Sequence, residues 1–269
     1  MKTEFNAVKF DPPCYHFLRV FNMNDLENKV VLITGGSRRI GAYTARYLHQ
    51  HGMRIIIHFN HSAVEAEKIR AELCEIRPDS ASLIQGDLGD IAKVKYLIRE
   101  AVNALGQLDA LVNNASAFSP TPIASSRESQ WQTIMDTNLK APYFLSQATA
   151  PYLKKQNGCI INITDIYAQR PLLDHAIYSA SKAGLVSLTQ SLANELGPEI
   201  RVNAVAPGAI LWPENDSDEI GRQRMISKTP LKRAGEPDDI AKTIHFLLVN
   251  SDYITGQVIN VDGGRSVSP

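Results

Sequence analysis

The sequence predicts a single α/β domain built on a doubly wound parallel sheet of about seven strands, with helices on both faces. Short β-branched runs alternate with helix-like segments along most of the chain, and the first strand-to-helix junction is rich in glycine. A length of 269 residues suits one large α/β domain with a substantial core.

The elements follow in order. Lys29 to Thr34 reads as a buried strand, Ile40 to His51 as a helix and Arg54 to Phe59 as a second strand. Ala63 to Ile76 is an alanine- and glutamate-rich helix. Ala81 to Gln85 is a third strand, Ile91 to Leu105 a helix, and Leu108 to Val112 a fourth strand. Two helices are expected over Glu128 to Asp136 and Asn138 to Lys155, then a fifth strand from Gly158 to Thr164. A long helix from His175 to Leu196 leads to a sixth strand from Arg201 to Val205. A proline- and acid-rich loop covers Pro207 to Ser217. A helix from Pro237 to Leu248 and a strand from Gln257 to Val261 close the chain. Residues 1–27 read as an extension broken by Pro12 and Pro13, and 28–269 as the domain.

Composition excludes several classes. Lysine plus arginine equals aspartate plus glutamate at 28 each, so no global field favours nucleic acid or a membrane surface. No apolar run reaches membrane-spanning length, and the N-terminus lacks the features of a secretory signal. Cys14, Cys74 and Cys159 are too few and too scattered for a disulfide framework or a metal cluster. No metal is expected, and a cytoplasmic location is.

The first junction is Thr34-Gly35-Gly36-Ser37-Arg38-Arg39-Ile40-Gly41. A glycine-rich turn between a strand and a helix lets backbone N–H groups approach a pyrophosphate, with the helix N-terminus adding partial positive charge. After the second strand comes His58-Phe59-Asn60-His61-Ser62, without an acidic residue. An acid there would bind a ribose 2′-hydroxyl and repel a 2′-phosphate. Asn60, His61 and Ser62, with charge from Arg38, suit the phosphate instead, so NADPH/NADP+ is expected. Tyr178 and Lys182, four residues apart, share a helix face; an ammonium beside a phenol is expected to lower the phenol pKa toward neutrality.

These residues resemble the short-chain dehydrogenase/reductase superfamily, over about Asn28 to Gly264. The first loop is similar to its T-G-x-x-x-G-x-G motif, Tyr178-Ser179-Ala180-Ser181-Lys182 to its Tyr-Lys pair, and Asn113-Asn114-Ala115-Ser116 to its N-N-A-G. Three departures resemble the pteridine reductases within it, Arg39 for the middle glycine, Ser116 for the last glycine and Asp165 where most members carry serine, and Phe118, two residues after Ser116, resembles their pterin-stacking aromatic.

The resemblance implies a Rossmann-like fold. For the cofactor it implies contacts from Gly35, Ser37, Arg38, Arg39 and Ile40, from Asp87 and Leu88, from Asn113, Ala115 and Ser116, and from Tyr178, Lys182, Pro207 and Gly208. It implies catalysis by Asp165, Tyr178 and Lys182 with Asn138 as relay, although asparagine also favours helix starts. The substrate is implied to be a pterin or folate held by Arg39, Ser116, Asp165 and Tyr178, stacked on Phe118, with Trp212 either closing the pocket or packing. A homotetramer is also implied, and Arg265 in the tail is a candidate for reaching a neighbouring subunit. The rivals are a 3-oxoacyl carrier-protein or sugar reductase, and a non-catalytic nicotinamide-binding protein.

Overall fold

The computed structural model describes residues 26–210 and 219–268; the expected N-terminal extension up to residue 25, and Trp212, lie outside the described residues. Seven parallel strands are β1 (Val30–Ile33), β2 (Arg54–Phe59), β3 (Ala81–Gln85), β4 (Ala110–Asn113), β5 (Cys159–Ile163), β6 (Arg201–Pro207) and β7 (Val258–Val261). The helices are α1 (Arg39–Gln50), α2 (Ala63–Ile76), α3 (Ile91–Leu105), α4 (Glu128–Met135), α5 (Ala141–Leu153), α6 (Ala176–Leu196), α7 (Glu219–Ser227) and α8 (Pro237–Val249). The expected fold class is the observed one.

β1 shows why these residues form a central strand. Val30, Val31, Leu32 and Ile33 are all buried, and β-branched side chains pack well on a pleated surface. Their period of two feeds both cores. Val31 and Ile33 face a layer with Ala45 and Leu48 of α1, Ile69 and Leu73 of α2, and Ile240 and Ile244 of α8. Val30 and Leu32 face Ile98 and Val102 of α3, Leu145 of α5 and Leu192 of α6. Burying one such leucine stabilises the fold by about 2 kcal/mol. Leu26 joins the first layer, so the packed fold reaches two residues before Asn28.

Most boundaries shift by a single residue, and three differences are larger. β4 begins at Ala110 rather than Leu108, and β6 continues to Pro207. The helices expected over 128–136 and 138–155 form one run, in which a π-helical turn, Asp136–Lys140, joins α4 to α5. Helix α7 was not foreseen. None of its residues is buried and its sequence, EIGRQRMIS, carries no apolar stripe.

The strand order is β3-β2-β1-β4-β5-β6-β7. The chain winds outward in one direction through β2 and β3 and in the other from β4 onward. The reversal falls between β1 and β4, and a crevice opens outside the carboxyl ends of these strands, the general ligand position in such sheets.

Candidate active site

The β1–α1 turn is shaped by close backbone approach. Gly35 has φ +60°, and a Cβ there would lie 3.1 Å from Ala115 Cα. A Cβ on Gly41 would meet Gly35 O at 2.3 Å and Asn114 Nδ2 at 2.6 Å. Arg39 keeps a glycine-like backbone, with φ +51°, although it carries a side chain. That conformation costs an ordinary residue about 1–2 kcal/mol and is characteristic of ligand-binding turns. No side chain caps the first amides of α1.

The turn is fastened to its neighbours. Asn114 Nδ2 donates to Thr34 O (2.8 Å) and Gly35 O (3.1 Å), while Thr34 Oγ1 accepts from Asn114 N (2.9 Å) and Ala115 N (3.0 Å). His58, buried at the end of β2, accepts from Gly35 N through Nδ1 (3.3 Å) and meets Gly86 O through Nε2 (2.9 Å). Its pKa is lowered, chiefly by burial, which holds the ring neutral with one nitrogen for each partner. Asn114 and His58 were not picked out from the sequence. The signal for each was a polar residue ending a buried strand.

Beyond β2, Asn60 and Ser62 are half-buried and His61 is exposed, at the start of α2. Arg38 Nε lies 3.9 Å from Glu65 Oε1. Arg38 thus reaches the first turn of α2, the helix that Asn60, His61 and Ser62 precede. Ser37 is buried in the turn and Ile40 is half-buried beside it. Asp87 is exposed after β3 and turns its carboxylate onto Gly89 N (2.9 Å), and Leu88 is buried. Pro207 ends β6, and Gly208 allows the close approach of Asp262, whose Cβ would lie 2.7 Å from a Cβ at that position.

Asn113 differs from expectation. Its side chain is buried in the sheet, where Nδ2 donates to Asn162 Oδ1 (2.8 Å) and its own Oδ1 has no hydrogen-bond partner. Asn138 has four side-chain partners. Its Oδ1 accepts from Ala117 N (2.7 Å) and Ser116 Oγ (3.2 Å), and its Nδ2 donates to Ala117 O (2.9 Å) and Ser181 Oγ (3.0 Å). It ties the β4 loop to α6 from the π-helical turn, and its amide is fully engaged without touching Tyr178 or Lys182.

The chemical centre lies where β5 meets α6. Tyr178 Oη donates to Asp165 Oδ2 at 2.7 Å, and Asp165 Oδ1 accepts from Tyr167 N at 2.9 Å. Burial raises the Asp165 pKa above the usual carboxylate range, against the pull of its hydrogen bonds and of Lys182. Lys182 is buried and donates to Ile163 O at 2.9 Å; burial lowers its pKa to about 8. Its Nζ stands 5.7 Å from the centroid of the Tyr178 ring.

The expected lowering of the Tyr178 pKa is overturned. Burial first, and then the Asp165 carboxylate, raise it above the ordinary phenol value. Spacing along a helix revealed the ammonium but neither the depth of burial nor the closer carboxylate. The result is a phenol held protonated by burial and by the carboxylate that accepts its hydrogen bond.

Above this pair stands Phe118, half exposed. Its ring meets Tyr178 edge-on at 4.7 Å and stacks on His175 at 4.6 Å. Since His175 covers one face, a flat ligand would use the other. Ser116 is exposed next to it, and Arg39 is exposed at the turn. His175 and Tyr167 are further site residues that sequence reasoning missed. They come from the loop between β5 and α6, where only the folded chain sets position.

Among the described residues no group of three or more potential ligands could hold a metal, and no helix is long and apolar enough to cross a membrane.

Comparison with known proteins places this geometry. The family described as enoyl-(acyl carrier protein) reductase matches residues 35–266. The chain is 38% identical, over 241 residues, to 3-oxoacyl-(acyl-carrier-protein) reductase FabG of Staphylococcus aureus Mu50, covering 88% of this chain and 97% of the relative. It is 34% identical over 246 residues to the 3-oxoacyl-(acyl-carrier-protein) reductase of Synechocystis, covering 90% and 98%. A crystal structure from Sinorhizobium meliloti 1021, described among the short-chain alcohol dehydrogenases, superposes with a TM-score of 0.87 at 33% identity over 92% of this chain and 100% of the other.

Proposed function

The chain belongs to the short-chain dehydrogenase/reductase superfamily and is a reductase of the same broad type as its carrier-protein relatives; from that premise we propose that it uses NADPH to reduce a flat nitrogen heterocycle of the pterin type. The observation that carries this reading is the 2.7 Å bond between Tyr178 and Asp165. Hydride addition to a carbonyl builds negative charge on oxygen, and a carboxylate at the proton donor opposes that charge. A ring C=N nitrogen is basic enough to take a proton first. The cation so formed is stabilised by the same carboxylate.

The crevice fits a dinucleotide. The β1–α1 turn is drawn so close to the β4 loop that side chains at Gly35 and Gly41 would collide there, and no side chain caps the amides at the start of α1. Gly35, Ser37, Arg39 and Ile40 would hold the pyrophosphate, and Arg38, Asn60, His61 and Ser62 the 2′-phosphate. Asp87 and Leu88 would border the adenine, and Ala115, Pro207 and Gly208 the remainder. The reduced nicotinamide, when bound, supplies the hydride. Lys182 orients the ribose side of the site from its anchor on Ile163 O. Tyr178 delivers the proton, and Asp165 holds the phenol in place and can replenish it. Ser116 and Phe118 border the substrate, Phe118 by its uncovered face, where stacking contributes about 0.5–1.5 kcal/mol. A homotetramer is part of the same proposal.

The second reading is reduction of a 3-oxoacyl thioester, and it is the one that overall sequence similarity favours, since the named relatives carry that activity. One fold hosts many substrates, so identity at this level fixes reaction type better than substrate. NADPH oxidation with dihydrobiopterin and with an acetoacetyl thioester separates the two. The pterin is expected to give the higher kcat/KM, with a lower KM for NADPH than for NADH. The opposite substrate order makes the thioester reading the correct one.

A further inference from the structure

A cavity of about 350 Å³ opens beside the proton-donating pair, between the loop after β5, helix α7 and the turn at 265–267. Its near wall is Tyr167, whose backbone N–H holds Asp165. Its lining also includes the apolar Leu173 and Met225 and the cations Arg224, Lys228 and Arg265. Among the described residues none of these three cations pairs with a carboxylate, and Arg265 Nη1 is buried without a hydrogen-bond partner. Arg170 is spent differently: its Nη1 donates to the carbonyls of Arg265 (3.0 Å) and Ser266 (3.1 Å), which fixes the turn bearing Arg265.

Three cations in one cavity wall, without acidic partners among the described residues and one with a buried open donor, suit an anion. We propose that this cavity is a subsite for a carboxylate or phosphate at the distal end of the substrate, joined to the reacting group by an apolar or aromatic stem. A cavity of this size accommodates a stem of about one ring. Arg224, Lys228 and Arg265 bind the anion; Arg170 is a positioning residue acting through the 265–268 backbone. This rests on the reductase reading but holds for either substrate class, because both a ring system and a thioester exist with and without an anionic arm.

The test compares substrate pairs in the wild-type protein and in Arg224→Gln/Lys228→Gln. Both side chains are exposed, so the fold should survive, which a melting curve checks. One pair is dihydrofolate, with carboxylates, against dihydrobiopterin, without. The other is acetoacetyl-coenzyme A, with phosphates, against acetoacetyl-N-acetylcysteamine, without. The ratio of KM for the charged to the uncharged member is expected to rise roughly tenfold or more in the variant. Added salt should raise that ratio in the wild type only. Calorimetric Kd values for folate and biopterin on the NADP+-loaded protein give the same ratio without turnover. If only the thioesters react and their ratio shifts, the pterin reading fails and the subsite stands. An unchanged ratio in every pair that reacts or binds overturns the subsite alone, and a protein that neither binds nor turns over any of the four overturns both.

Discussion

The bond between Asp165 and Tyr178 sets two demands on any substitution. Tyr178→Phe removes the proton donor and leaves a buried carboxyl group without its partner, so kcat should fall by about 10²- to 10⁴-fold. Asp165→Asn still accepts from the phenol but cannot carry a proton. Its loss should be smaller, and the high-pH limb of the kcat profile should move down, because removing the carboxylate charge lets the phenol ionise more readily. A Tyr178→Phe variant with full turnover, or an unmoved limb in Asp165→Asn, would show that this pair is not the proton source. Tyr178 and Lys182 were legible in the sequence because helical spacing places them on one face, and Asp165 through the resemblance of the segment after the fifth strand. Tyr167 and His175 were not, since a loop of arbitrary sequence carries them there. The sign of the Tyr178 shift was misread for a physical reason: charges can be counted along a chain, whereas desolvation exists only once the chain has folded.

Helix α1 shows what an element adds. Near its end His49 is buried, with Nε2 2.6 Å from Ser80 Oγ and Nδ1 without a partner. Burial, and then the nearby Arg77 guanidinium, lower its pKa to about 4. The unfolded imidazole takes up its proton near its ordinary value of 6.5 and the folded one only near 4. Protons in that window therefore favour the unfolded chain, and stability should decline as pH falls through it, by about 2–3 kcal/mol from this group. Urea midpoints at pH 7 and pH 4.5 measure the decline, and His49→Gln should flatten it. An equal decline in the variant would assign the effect to other groups. Most helices were legible because their apolar residues recur with helical period. The π-helical turn was not, because it carries Asn138, whose bonds to the β4 loop and α6 exist only in the folded chain. Helix α7 was not, because it buries nothing and so leaves no pattern.

For the whole molecule, regular alternation of strand and helix made the sheet and its both-sided cover legible. The strand order is then nearly forced, since right-handed crossovers from a central β1 leave few alternatives. Which side chains meet across the crevice is set by twist and loop length, and the cationic cavity between the β5 loop, α7 and the 265–267 turn joins three segments remote in sequence. The fastening of the β1–α1 turn by Thr34, Asn114 and His58 bears on how the cleft receives a dinucleotide. A seat already braced by five hydrogen bonds has little chain left to organise on arrival. Titration calorimetry of Thr34→Val, which deletes the hydroxyl that two amides share, should then reveal a weaker complex whose deficit is mainly entropic. A deficit that is wholly enthalpic would mean that the brace acts as a contact and not as a scaffold.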